Sequence, residues 1–166
     1  MDRIRRDFVI GITGHRNLPK EKIPAIAQKA QDFFAGMKAE HGSVMVLSSL
    51  AEGADMLCAK AALDLQLRLV VPLPMAADEY RKDFSDAAGF DRLLSEADTV
   101  FTVGPVLPGL PRGFYYRQAG IYVAKNCDLL LAVWDGARCD TRDGAGTWET
   151  IKLAREFEKP VEMIEF

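Results

Sequence analysis

The sequence has no regularly spaced cysteine pair and few histidines. Its three cysteines, Cys58, Cys127 and Cys139, are odd in number and far apart, and only two histidines accompany them. This pattern excludes a disulfide framework and offers no zinc-ligand spacing, so neither a metal nor a resident cofactor is expected. A reducing cytosol suits such thiols best. No apolar run approaches the length of a membrane span, and the N-terminal "MDRIRRDF" lacks the apolar segment of a signal peptide. A soluble, cytoplasmic protein without a membrane partner is the expectation. Basic charge is also short, with 21 Lys and Arg against 24 Asp and Glu and a formal net charge of -3. A direct nucleic-acid partner is therefore disfavoured, and any anion binding has to be local. Neither G-x-G-x-x-G nor G-x-x-x-x-G-K-[ST] occurs, which disfavours a simple dinucleotide dehydrogenase and a P-loop NTPase. There is no internal repeat and no low-complexity linker, so residues 1–166 are expected to form one domain.

What the chain does contain is a rhythm of short apolar runs: 8–13, 44–50, 68–74, 99–104, 128–134 and 160–166. Nearly continuous apolar runs of this length suit parallel strands covered on both faces. Between them, 20–40, 54–66, 114–126 and 147–158 carry helical spacing. The alternation predicts an α/β protein, a three-layer Rossmann-like sandwich with a mainly parallel central sheet of about six strands. Residues 76–111 are less regular, and we expect an insertion near the rim of a site, with the Lys, Asp and Glu of "DEYRKDF" on a solvated helix face.

In open parallel sheets ligands bind beyond the carboxyl ends of the strands. Candidate site residues therefore follow the runs: Thr13, Gly14, His15 and Arg16 after the first, Ser48, Ser49, Glu52, Gly53 and Asp55 after the second, and Asp135 after the fifth. The loop "DGAGTWE" adds Gly144, Ala145, Gly146 and Thr147, whose small residues before a helix let backbone N–H groups approach an anion. Arg16 suits a phosphate through bidentate geometry, and Gly14 suits a tight turn beneath a ligand.

Across nearly the whole chain, "GITGHR", "SSLAEGADMLCAKAALDLQLRLVVPLP", "RQAGIYVAKNCDLLLAVWDG" and "GAGTWETIKLAREFEKPV" resemble the SLOG superfamily of Rossmann-like nucleotide-binding proteins. That group includes the DNA-processing protein DprA, the LOG phosphoribohydrolases and sensor domains of bacterial defence systems. The LOG resemblance implies a phosphate-loop role for Gly144, Gly146 and Thr147, a catalytic acid in Glu149 and a catalytic arginine in Arg117. The loop departs from the LOG pattern, because the P-G-G is absent and a single glutamate follows. The tail is also similar to nucleoside 2-deoxyribosyltransferases, with Asp143, Gly144 and Glu149 matching loosely.

Two functions follow. The first is a binding domain for a nucleotide or nucleotide derivative, a sensor of an ADP-ribose or NAD-type ligand or of a nucleoside monophosphate. The second is an enzyme that cleaves an N-glycosidic bond, where a carboxylate beside the oxocarbenium-like ribosyl centre serves as nucleophile or stabiliser. The aromatic face of "FYYRQAGIYVA" suits either a homodimer contact or core packing.

Overall fold

The computed structural model describes residues 6–105 and 107–166. Six strands follow the expected runs: β1 (Phe8–Gly14), β2 (Val44–Leu47), β3 (Arg68–Leu73), β4 (Thr99–Thr102), β5 (Leu129–Trp134) and β6 (Val161–Glu165). All neighbours pair in parallel, in the order β4-β3-β2-β1-β5-β6. The sheet is thus wholly parallel, and β1 lies inside it between β2 and β5. The helices are α1 (Ile23–His41), α2 (Ala54–Asp64), α3 (Ala77–Tyr80), α4 (Ala87–Glu96), α5 (Arg112–Asn126) and α6 (Thr147–Glu156). Single 3-10 turns at Lys20–Lys22 and Arg81–Asp83 accompany them.

Local signals account for several boundaries. Proline in the first turn suits the start of α1, and Gly42 ends that helix at a φ of 76°, a conformation open to glycine at no steric cost. Along α1 the buried residues Ile26, Ala30 and Phe34 recur every fourth position, which puts them on one face. Its neighbour α2 buries mostly small residues, Ala54, Cys58, Ala59, Ala61 and Ala62, so it sits close on the sheet.

Two apolar clusters sandwich the strands. One joins Ile26, Phe34, Ala59 and Leu69 on the α1 and α2 side, and the other joins Val123, Ala124, Ile151 and Ala154 beneath α5 and α6. The chain runs β1 to β4 in one direction, then returns through α5 to β5 on the other side of β1. Strand order therefore reverses between β1 and β5, and loops on the two sides of that point diverge to leave a crevice.

The stretch expected to be irregular carries a full helix, α4. Asp86 caps it by accepting from the Gly89 N–H at 2.9 Å, and Phe90 and Leu93 are buried. In "DEYRKDF", Asp78, Lys82 and Asp83 are exposed, while Tyr80 is buried among Phe84 and Phe90 in edge-on contacts. On α5, Tyr115 is buried and Tyr122 meets Phe101 edge-on at 5.3 Å, so most of its aromatic face is core and Phe114 is left exposed.

Candidate functional site

At the reversal of strand order lies a cleft of about 1030 Å³. Its wall brings together Thr13 and Gly14 at the end of β1, His15 and Arg16 just after it, Ser49 and Asp55 at the entry to α2, Asp135 after β5, and Ala145, Gly146 and Thr147 at the entry to α6. Sequence segments more than a hundred residues apart thus meet at one place, as expected for carboxyl ends of adjacent parallel strands.

The β1 loop is locked onto α2. Its His15 carbonyl accepts from the Ala54 N–H at 3.1 Å, and the His15 N–H donates to the Val133 carbonyl at 3.2 Å. Gly53 has a φ of 93°, and a Cβ placed there would lie 2.2 Å from the Arg16 carbonyl oxygen. Gly14 is needed for a different reason from the turn its sequence suggests. A Cβ on it would come within 2.4 Å of the Ala54 Cβ, so this glycine admits the α2 terminus against β1.

Five charged or polar groups shape the first half of the cleft. His15 Nε2 meets Asp135 Oδ1 at 3.0 Å, and Asp135 is held below the usual carboxylate range, chiefly by the Ala137 N–H that it accepts. Arg16 is exposed, with its guanidinium 4.8 Å from the centre of the Tyr116 ring. A cation over an aromatic face at an exposed site contributes about 0.5–1 kcal/mol, enough to orient the side chain without fixing it. Tyr116 also lines the cleft, and its hydroxyl is buried without a hydrogen-bond partner. Asp55 is only 6% exposed, and burial pushes its carboxyl up to about 7 against the opposing pull of the Ala51 N–H, Arg16 and the Ser48 hydroxyl. A cleft carboxyl poised at neutrality is suited to exchanging a proton with a ligand or with solvent.

The second half is the loop into α6. Gly146 precedes the helix and has no side chain to cap it. The N–H groups of Ala145 and Gly146, expected to face an anion, donate instead to Thr141 Oγ1 at 3.2 and 3.1 Å, and Ala145 also donates to Asp143 Oδ1 at 3.1 Å. Thr147 is buried in the cleft wall. Sequence reasoning missed Thr141, Arg142 and Trp148, all of which line the same cleft. Trp148 stacks on Trp134 with ring centroids 5.6 Å apart, and Arg138, Lys152 and Arg155 surround its ring. The crowding of basic residues around "GTWETIKLAR" was the available signal.

Other expected residues stand outside the wall. Glu52 accepts from the Ser85 and Asp86 N–H groups at 2.9 and 3.3 Å, so it fastens the turn before α4 rather than facing a ligand. Ser48 is fully buried and accepts from the Leu50 N–H at 3.1 Å, shaping its loop from beneath. Leu50, also fully buried, takes a φ of 55°, an unusual conformation for a branched residue that packing has to hold in place. Gly144 and Arg117 lie against each other outside the cleft lining, and a Cβ on Gly144 would come within 3.2 Å of Arg117 Nε. Arg117 is exposed and does not line the cleft. Glu149 is buried, and its Oε1 accepts from the Thr141 N–H and, at 2.8 Å, from the Thr141 hydroxyl. Its Oε2 is buried without a partner close beneath Gly146. Among the described residues no group of three or more His, Cys, Asp or Glu is arranged to hold a metal ion. No helix of the described residues is long and apolar enough to cross a membrane.

No protein-family model and no curated protein matches the chain by sequence. By structure it is similar to DNA processing protein A (DprA) from Streptococcus pneumoniae, at 18% identity and a TM-score of 0.68, covering 96% of this chain and 51% of that one. A second similar structure is the single-stranded DNA-binding DprA from Helicobacter pylori, at 14% identity and a TM-score of 0.64 over 94% and 64% of the two chains. A third is the molybdenum cofactor binding protein from Rippkaea orientalis, at 16% identity and a TM-score of 0.59 over 97% and 78%. The chain therefore spans between half and two thirds of the length of the two DprA chains. At these identities the likeness is one of fold, a Rossmann-like arrangement of helices about a parallel sheet.

Proposed function

We propose that this chain is a ligand-binding module whose cleft takes a phosphorylated nucleotide or nucleotide derivative. The observation that carries the reading is the convergence of the loops after β1, β2 and β5 and the N-termini of α2 and α6 on one cleft with Arg16 and Arg142 in its wall. Helix N-termini and arginines both favour anions, and a volume near 1030 Å³ accommodates a molecule as large as a dinucleotide. A relative of the same fold that binds the molybdenum cofactor supports a cleft for a cofactor-sized molecule. ADP-ribose, NAD and nucleoside monophosphates form the ligand class to test. The sequence has two tryptophans, Trp134 and Trp148, stacked on each other beside the cleft, so intrinsic fluorescence reports directly on occupancy. Titration with AMP, ADP-ribose and NAD should change that fluorescence saturably and raise the melting temperature. A flat response to all three refutes the nucleotide reading, and a response confined to single-stranded oligonucleotides transfers the site to the ligand class of the Helicobacter pylori relative.

N-glycosidic cleavage is the second reading, and one observation favours it. The unpartnered Oε2 of Glu149 lies close beneath the cleft residue Gly146, a buried carboxylate oxygen with no structural bond to make. Incubation with AMP and CMP, followed by chromatography for free base, tests it. Base release abolished in Glu149→Gln supports the enzyme, and no release from the parent protein removes it.

A further inference from the structure

We propose that an anionic ligand enters the cleft together with a proton, drawn from solvent and held on the Asp55 carboxyl; this rests on the nucleotide-site reading above. Asp55 is only 6% exposed and lines the cleft with Arg16, whose charge acts on it, so an anion beside Arg16 would lie near a carboxyl that water screens poorly. Two negative charges so placed repel. A proton on Asp55 removes the repulsion and converts the group from an acceptor to a donor toward a ligand oxygen.

The surroundings decide how readily the proton is taken. Arg16 from the β1 loop, the Ala51 N–H and the Ser48 hydroxyl favour the charged carboxylate, and burial outweighs all three, leaving Asp55 poised at about 7. Cys58 on the same helix and Tyr80 on α3 have thiol and phenol groups pushed further up by the Asp55 charge, and Asp83 acts on Tyr80 in the same direction, so these neighbours supply no positive charge. Arg16 is also the group that a ligand phosphate would engage. Its charge is then shared with the ligand, and its hold on the Asp55 carboxylate weakens.

ADP-ribose is the suitable probe, because its diphosphate bridge has no proton to exchange near neutrality, unlike the terminal phosphate of AMP. Calorimetric titration in buffers of differing ionisation enthalpy gives the protons taken up per ligand. The parent protein should take up a measurable fraction of a proton between pH 7 and pH 8 and much less at pH 5.5, since Asp55 is then largely protonated before the ligand arrives. If only the protonated form is competent, the dissociation constant should rise about tenfold from pH 6 to pH 8. Asp55→Asn mimics the protonated shape and should bind with a flat pH dependence and no uptake from this site. The imidazole of His15 also lines the cleft, so His15→Gln is the second arm. Uptake retained in Asp55→Asn, or lost only in His15→Gln, overturns the proposal. Binding of ADP-ribose without proton uptake overturns it while sparing the nucleotide reading, and no binding at any pH overturns both.

Discussion

Replacement of Asp55 by asparagine should make the free protein more stable, and more so as pH rises. The carboxyl is 6% exposed and sits at about 7, above its ordinary 3.8, because burial disfavours its charge. A raised value means that the folded state keeps a proton that the unfolded chain has already released. Stability from this group is therefore complete below about pH 4 and is lost progressively as pH rises through 7, with little change above. The rise from 3.8 to about 7 corresponds to about 4 kcal/mol in total, of which roughly 2–3 kcal/mol is lost between pH 5 and pH 8. In a protein of this size 1 kcal/mol moves the melting temperature by about 2–4 °C, so the stability gap between Asp55→Asn and the parent should widen by roughly 5–10 °C over that range. Differential scanning calorimetry of both proteins at pH 5, 6, 7 and 8, without ligand, measures it. The comparison cancels every other titrating group that the two proteins share. Parallel melting curves across the range would show that Asp55 is solvated or paired in the folded state, contrary to its burial.

Other perturbations separate packing from binding. Gly53→Ala forces a side chain into a backbone with a φ of 93° and against the Arg16 carbonyl, and should cost at least about 1–3 kcal/mol, read as a lower urea midpoint. Arg16→Ala removes an exposed cation and should lower stability by less than about 1 kcal/mol while weakening nucleotide binding about tenfold to a hundredfold; unchanged affinity would return Arg16 to an ordinary solvated role. Glu149→Ala deprives the Thr141 N–H and hydroxyl of their shared acceptor, so limited proteolysis should cut the 137–146 loop several times faster. Glu149→Gln keeps an acceptor oxygen at that place and should leave the cleavage rate near that of the parent.

By itself the sequence determined the layered architecture. Apolar runs at 8–13 and 128–134 became β1 and β5 within a residue or two at each end, because continuous apolar strands and periodic helices are written in local spacing. It also determined which loops carry glycine, hydroxyl and charge, and the rule that carboxyl ends of parallel strands converge placed most of them at one edge. Helix α4 escaped notice because it is only ten residues long and begins at an aspartate cap inside a stretch rich in loop-forming residues. Tertiary structure alone decided which way each loop residue points. Glu52 and Asp55 lie three positions apart in one motif, yet Glu52 turns out to the Ser85 turn and Asp55 is carried inward by the first turn of α2. In the same way Thr141, unremarkable in sequence, takes the N–H groups of Ala145 and Gly146 that the motif offered to a ligand. Burial and direction at a loop are set by whatever distant segment packs against it, here β1 through Gly14 and α6 through Glu149, and no local pattern contains that information.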